Sequence, residues 1–241
     1  MSKMELVGLI ESVEEAAGEP LQIIDAARRF LDLRHLSYVA LTFPKPSGSK
    51  LPIFTSTYPI QWQNHYVERD YVRIDPVVVE AAKSNLPVDW TKLDTLSEPG
   101  RTLFGEAREF GIPTTGLTIP FRGQQGELAV LSACADFSAR TWEDYKHENI
   151  WKLMVANSLI HRRILDIHNI ADRRPKLTRR EIECLCWTSQ GKTCADVATI
   201  LNIAETTARC YLNSARSKLN CVTIAHCVAK AISMRLIPPV S

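Results

Sequence analysis

A chain of 241 residues, 45% of them hydrophobic, can bury a sizeable core and is long enough for two domains. Its net charge of +2 is held unevenly: residues 173–241 carry eleven Lys or Arg against four Asp or Glu, a local net of +7 that leaves −5 elsewhere, so a basic module suited to a polyanion, nucleic acid above all, is joined to one with another task. The acidic start "MSKMELVGLIESVEEA" excludes a secretory signal, no apolar run is long enough for a bilayer, and an odd seven cysteines, six of them after residue 183, speak against a disulfide framework, so a cytoplasmic protein with no membrane partner is expected.

The first predicted elements are two helices, "MELVGLIESVEEAA" and "LQIIDAARRFL", followed by strands in "LSYVALTFP" and "LPIFTSTY" around a Lys-Pro-Ser-Gly-Ser turn. Helical "IQWQNHYVER" and "PVVVEAAKS" come next, then a short strand near "PVDW" and a helix near "TLFGEAREFG". Two strands, "GLTIPFRG" and "GELAVLSAC", should pair across Gln124 and Gln125, and a long amphipathic helix from about Trp142 to Ile170 closes the module. The expectation for residues 1–170 is one sheet flanked by helices, an α/β/α sandwich. "ADRRPK", at 171–176, reads as the linker, because charged residues followed by proline interrupt the helical period.

Residues 177–241 read as an all-α module, which makes the chain α+β as a whole. Its stretch "QGKT" looks like the end of a phosphate loop, yet such a loop needs a second glycine five residues upstream, where Cys186 stands in a helical pattern. The glycine has a plainer expected role. "LTRREIECLCWTSQG" opens on Thr178 with Glu181 three residues later, a capping box, and closes on Gly191, which can take the left-handed angles found past a helix end. Thr193 with Asp196 caps a short second helix, "CADVATIL", and after the "NIAE" turn a third runs from about Glu205 to Leu219. Its apolar set, Ala208, Leu212, Ala215 and Leu219, leaves Arg209, Asn213, Arg216 and Lys218 on other faces. This is the layout of a helix-turn-helix reader of DNA, where Arg suits guanine, Asn suits adenine and Lys218 would meet phosphate. Cys184 and Cys186 have no second pair and no histidine at finger spacing, so no metal is expected and the cysteines read as small buried hydrophobes.

The run "LTRREIECLCWTSQGKTCADVATILNIAETTARCYLNSARSKL" resembles the DNA-binding domain of LuxR-type quorum-sensing regulators, whose hallmark Glu, Leu and Gly correspond to Glu181, Leu185 and Gly191. Tyr58, Trp62, Tyr66, Asp75 and Pro76 gather in "TYPIQWQNHYVERDYVRIDPVV", with Trp90 after them, and this is similar to the autoinducer-binding domain of the same family. Extending over nearly the whole chain, the resemblance implies a transcription regulator without catalysis or cofactor. Its ligand would be an N-acyl-homoserine lactone, and its partners double-stranded DNA with an inverted-repeat operator, a second copy of the chain and RNA polymerase. The sequence departs from the family's pattern at Ala204, where Ser is common, at Ala208 for Val, at Arg235 for Gly, and in "GIPTTG", which is one residue longer.

An acyl-homoserine lactone offers one amide N–H, two carbonyls and an apolar tail, so its pocket wants one acceptor, a few donors and aromatic walls. Asp75 would accept from the amide, the Trp62 N–H would donate to the lactone carbonyl, and the Tyr58 and Ser132 hydroxyls to the acyl carbonyl, with Tyr66 and Trp90 supplying ring surface. Taken singly, each aromatic is better explained by core packing, and Asp75 equally by an N-cap ahead of Pro76. Two other readings stand beside this one. The first is a receptor of the same family for a different small molecule, or for none. The second is an enzyme with a nucleic-acid tether, against which the chain has no G-x-S-x-G, no H-E-x-x-H and only scattered histidines. Dimerisation is expected through the long helix, where Ile150, Met154, Leu159 and Ile164 offer more apolar surface than one face needs, and through the C-terminal helix around Ala225 to Ile232.

Overall fold

The computed structural model describes residues 3–16, 18–42, 53–93, 97–123, 126–168 and 175–239. The chain divides into two compact units, one formed by Met1–Arg122 and Glu127–Ala171, the other chiefly by Asp172–Ser241. In the first, α1 (Lys3–Glu14) and α2 (Pro20–Phe30) precede β1 (His35–Thr42) and β2 (Ile53–Ser56). Then come α3 (Ile60–Glu68), a 3-10 turn at Tyr71–Arg73, α4 (Pro76–Lys83), β3 (Val88–Asp89), a second 3-10 turn at Trp90–Lys92, and α5 (Glu98–Glu109). β4 (Gly116–Arg122), β5 (Leu128–Cys134) and the long α6 (Ala139–Ile167) complete the unit. The five strands form an antiparallel sheet in the order β2-β1-β5-β4-β3.

Side chains alternate across a strand, and here the two faces have different occupations. Leu36, Tyr38 and Ala40 of β1, Leu117 and Ile119 of β4 and Leu131 of β5 form the main core with α1, α2 and the Leu153, Ile160 and Ile164 side of α6. Val39 and Val130, and further along Cys134, meet Val77 and Val78 of α4, Trp62 of α3 and Leu103 of α5 in two smaller clusters. The architecture is therefore the expected α/β/α sandwich. Element ends differ from the sequence reading where a serine caps the helix earlier. Ser97 accepts from the Gly100 N–H at 3.3 Å, and Ser138 accepts from the Thr141 N–H at 3.2 Å, so α5 and α6 begin a few residues sooner. The Lys-Pro-Ser-Gly-Ser turn, the turn at Gln124 and Gln125, most of the linker and the expected end of α6 at Ile170 lie outside the described residues.

The apolar surplus expected on α6 is not there. Ile164 is fully buried, Ile150 and Leu159 pack against the unit's own core, and Met154 alone of the four is exposed, at 45%. The four residues do not share one outward face, so the argument for dimerisation through this helix fails. Among the described residues no helix is long and apolar enough to cross a membrane.

The second unit holds α7 (Arg179–Ser189), α8 (Cys194–Leu201), α9 (Glu205–Lys218) and α10 (Ile224–Ser233). Both capping boxes form. The Glu181 N–H reaches Thr178 Oγ1 at 3.3 Å while the Thr178 N–H reaches Glu181 Oε2 at 2.6 Å, and the Thr193–Asp196 pair repeats the pattern at 3.2 and 2.9 Å. Gly191 sits at φ +81° with its N–H on the Thr188 carbonyl at 3.0 Å, and the Lys192 N–H follows onto Trp187 at 3.2 Å. These are the paired bonds of a glycine helix stop, which settles the role of "QGKT". Leu185, Cys184, Val197, Ala208, Leu212 and Ala215 fill the core between the helices. Cys134, Cys184, Cys221 and Cys227 are buried as small hydrophobes should be, and Cys186 and Cys194 are half-buried, but Cys210 is exposed on α9, contrary to expectation.

The two departures at Ala204 and Arg235 have visible consequences. Ala204 occupies the N-cap of α9 without a side-chain bond to the helix, and Arg235 takes a left-handed φ of 51° after α10, a conformation that costs an ordinary residue more than glycine. Ala204→Ser supplies the missing acceptor and should raise stability by about 1 kcal/mol. A denaturant melt with an unchanged midpoint would show that the α9 terminus is already satisfied by water.

Candidate functional site

Beneath α3, α4 and α5 the second face of the sheet is incompletely covered, and the cavity left there is lined by Tyr58, Trp62, Tyr66, Asp75, Trp90 and Ser132, all six of the residues expected from sequence. It is narrow, with room of about 50 Å³ for the centre of a water-sized molecule. Its remaining walls are mostly apolar, among them Val39, Phe54, Val78, Leu103 and Phe104. Sequence reasoning missed these because an apolar residue lining a cavity has the same pattern as one filling a core.

Asp75 is buried at the start of α4, and both readings of it hold. Its Oδ1 accepts the Val77 N–H at 3.0 Å, which is the N-cap, while Oδ2 accepts the Tyr66 hydroxyl at 2.8 Å. Tyr66 is thus a donor as well as ring surface. Among the described residues no cation pairs with Asp75, so burial drives its pKa up to about 6, with the bonds from Tyr66 and the α4 backbone holding it back from a larger rise. Trp62, 4% exposed, is wedged among rings, 5.8 Å from Tyr66 and 5.5 Å from Phe110 between centroids, and among the described residues its indole N–H has no hydrogen-bond partner. The Tyr58 hydroxyl accepts a weak contact from the Cys134 thiol at 3.9 Å and has no acceptor there for its own proton.

Trp90 and Ser132 are linked through a residue the sequence reading passed over. The Trp90 indole N–H donates to Thr118 Oγ1 at 2.8 Å, and Thr118 Oγ1 lies 2.9 Å from Ser132 Oγ. The ring can lie flat on the sheet because Gly116 has no side chain: a Cβ there would stand 2.6 Å from the indole and 2.8 Å from the Ala133 carbonyl oxygen. The helices over the cavity are tied by Glu106 of α5, whose Oε2 accepts the Tyr71 hydroxyl and meets His65 Nε2 of α3, each at 2.6 Å. Those two bonds hold the Glu106 carboxyl below its ordinary pKa. A wider groove beside α4 and α6 is open to solvent and carries Lys83, Glu143, Lys146 and His147, a poorer match to an apolar ligand.

On α9 the four basic or polar residues expected to meet DNA do not act alike. Arg209 and Asn213 project to solvent, Arg209 within 2.7 Å of Glu205 one turn earlier. Arg216 donates to the Val222 carbonyl at 3.0 Å, clasping the turn after the helix. The Lys218 ammonium, expected on phosphate, lies 2.8 Å from the Glu181 carboxylate in the absence of DNA. Glu181 is 2% exposed and also accepts the Ser214 hydroxyl at 2.6 Å and the Thr178 N–H at 2.6 Å. Burial pushes its pKa up, but the bonds from Lys218, Ser214 and Thr178 outweigh burial and bring it down to about 2. Glu181 is thus a structural tie between α7 and α9, and Lys218 is part of that tie.

Comparisons with known proteins agree with this division. Residues 18–164 match the model of the autoinducer binding domain, and residues 175–231 match that of the bacterial regulatory proteins of the luxR family. The transcriptional activator protein RaiR of Rhizobium etli is 33% identical over 175 residues, covering 71% of this chain and 72% of RaiR. VanR of Vibrio anguillarum, also a transcriptional activator protein, is 31% identical over 196 residues, 80% of each chain. Among solved structures, Escherichia coli SdiA aligns with a TM-score of 0.70 at 22% identity, covering 97% of this chain and 98% of its own. SdiA in complex with octanoyl-rac-glycerol aligns with a TM-score of 0.72 at 23% identity, covering 96% of this chain and 93% of its own. At that identity the likeness to SdiA is one of fold.

The Lys218–Glu181 tie generates a test. Lys218→Ala leaves a buried carboxylate short of its cation, and with the lysine partly open to solvent the loss should be about 1–2 kcal/mol of stability at neutral pH. Because Glu181 titrates at about 2 folded against 4.5 unperturbed, its contribution is whole above pH 4.5 and fades as pH falls toward 2, so the difference between variant and parent should shrink on acidification. A drop of one in the salt slope of DNA binding with no loss of stability would instead return Lys218 to a phosphate.

Proposed function

The chain belongs to the LuxR family of bacterial regulatory proteins and is a quorum-sensing transcription regulator, and we propose that its signal is an N-acyl-homoserine lactone held in the cavity around Asp75. The observation that carries this reading is the polarity of the cavity. A carboxylate with no counter-cation among the described residues faces a mostly apolar space that also contains an indole N–H and a phenol O–H with no acceptor among those residues. A ligand with one amide N–H and two carbonyl oxygens complements that set: Asp75 accepts from the amide, Trp62 donates to the lactone carbonyl, and Tyr58 with Ser132 donates to the acyl carbonyl. The acyl chain then runs between Val39, Phe54 and Val78. The cavity is narrow as the walls stand, so binding would include some movement of the helices that cover it. The same narrowness favours the second reading, a family member that works without ligand.

The protein acts by binding and in the cytoplasm, as a homodimer whose two α9 helices enter major-groove half-sites of an inverted repeat ~34 Å apart, where the bound dimer can meet RNA polymerase. Val222 beside α10 is 81% exposed, and Ala225 and Ala229 are exposed one turn apart, which favours α10 over α6 as the contact between copies. Arg209 and Asn213 are the base readers, so Arg209→Ala and Asn213→Ala should each cost about 1–3 kcal/mol on the preferred site and relax its sequence preference. Equal weakening on preferred and random DNA would misplace the reading face.

Titration with lactone tests the ligand. Asp75→Asn keeps the helix cap and the shape but weakens the acceptor, so affinity should fall about tenfold to a hundredfold. The pH dependence adds an independent sign. An amide N–H bonded to the carboxylate favours the ionised form, so affinity should be greatest above pH 6 and decline as pH falls through about 6, and the Asn variant should show no such decline. Unchanged affinity in Asp75→Asn would remove this residue from the site.

A further inference from the structure

Residues 173–241 contain four acidic side chains, Glu181, Glu183, Asp196 and Glu205, among eleven Lys or Arg. Three of them hold the unit's own helices. Glu181 ties α7 to α9, Glu183 lies 2.9 Å from both Arg179 and Arg180 on α7, and Asp196 closes the capping box of α8. Glu205 differs. It opens α9 and begins a stripe, stepped every four residues, that continues through Arg209 and Asn213, all three exposed. An acid on a stripe that faces DNA is repelled by phosphate, and this repulsion weakens binding to every sequence alike. What it has in exchange is one contact: Glu205 Oε1 accepts from Arg209 Nη2 at 2.7 Å, in the favourable order with the acid N-terminal to the base.

Resting on the reading of Arg209 as a base reader, we propose that Glu205 is its positioning residue, fixing the guanidinium so that the pair distinguishes guanine from other bases at one position of the DNA site. In the protein alone an exposed pair of this kind contributes little, since water competes for both groups. Its effect arises in the groove. An arginine free to change rotamer can turn to a phosphate instead of a base edge, and a phosphate contact carries no sequence information. The Glu205 carboxylate occupies one hydrogen of Nη2 and leaves Nη1, Nε and the other Nη2 hydrogen, enough of the fork for the O6 and N7 acceptors of guanine. It also disfavours the swing to phosphate, which would leave a carboxylate beside DNA without its cation. Glu205 therefore lowers affinity in general and raises the contrast between sites.

The test uses the full chain, the duplex that it enriches from a random-sequence pool, and Glu205→Gln, which keeps the shape and removes the charge. The variant should bind unselected DNA about twofold to fivefold more tightly, because one charge beside phosphate is gone. Its ratio of preferred to unselected affinity should fall about threefold to tenfold. In an Arg209→Ala background the same change should leave the ratio as it is, since the side chain through which Glu205 acts is missing. An undiminished ratio in Glu205→Gln overturns the proposal, and a lower melting temperature beside it would make Glu205 a charge for the α9 terminus that Ala204 leaves without a side-chain cap. A fall of equal size with and without Arg209 overturns it as well. Enrichment of no duplex, or the parent's preference surviving in Arg209→Ala alone, removes the reading face itself, and this inference with it.

Discussion

A carboxylate taken out of water must find donors, and each unit of this protein is organised around one that has been buried. Glu181 has a full set: a lysine, a serine and a backbone N–H converge on it, and its pKa falls to about 2. Asp75 has one tyrosine and the end of a helix but, among the described residues, no cation, and its pKa rises to about 6. The first arrangement is complete and therefore structural, joining α7 to α9. The second is incomplete in a way that a neutral N–H donor can finish, and it sits in a cavity. The contrast between the two carboxylates is what distinguishes a tie from a candidate receptor site in this chain.

The sheet decides where the incomplete one can act. Alternation along β1, β4 and β5 sends large apolar residues toward α6 and mostly smaller ones, several of them hydroxylic, toward α3, α4 and α5. Leu, Ile and Tyr fill the first side to close packing. Ser, Thr, Val and Gly cannot fill the second, and Gly116 in particular lets Trp90 settle on the strand rather than above it. The cavity is therefore a product of residue size at alternate positions on central strands. The Glu106 bonds to Tyr71 and His65 then hold the covering helices across it.

Much of this was legible in the sequence because it is local. A threonine three residues before a glutamate fixes a helix start, and a glycine after the last helical turn fixes a stop, so the DNA-binding unit could be read almost element by element. Helix starts at Ser97 and Ser138 were harder, since the residues after those caps are polar and blur the apolar period. Tertiary partners were not legible. Lys218 reads as a solvated cation on a basic helix, and only the arrival of Glu181 from thirty-seven positions away shows it to be engaged. Ile164 and Leu159 read as surplus apolar surface because their partners on α1 and the sheet are far off in the chain.

The energetics of Asp75 give the ligand a further role. A folded pKa of about 6 against an ordinary 3.8 means that folding favours the protonated acid: the benefit is whole below pH 3.8 and is lost as pH rises through 6, so the ionised group costs on the order of 3 kcal/mol at neutral pH. That is a large share of the 5–15 kcal/mol typical of a domain's whole stability. A charge-assisted bond from a ligand amide, worth roughly 1.5–3 kcal/mol, is of the size needed to offset it. Because Asp75 caps α4 and holds Tyr66 of α3 at once, whatever strengthens or relieves that carboxylate acts on two of the three helices covering the cavity. At neutral pH this unit is therefore held in its less favourable state of ionisation, and under the proposed reading a ligand N–H at Asp75 offsets that cost, which would couple the presence of ligand to the stability of the fold.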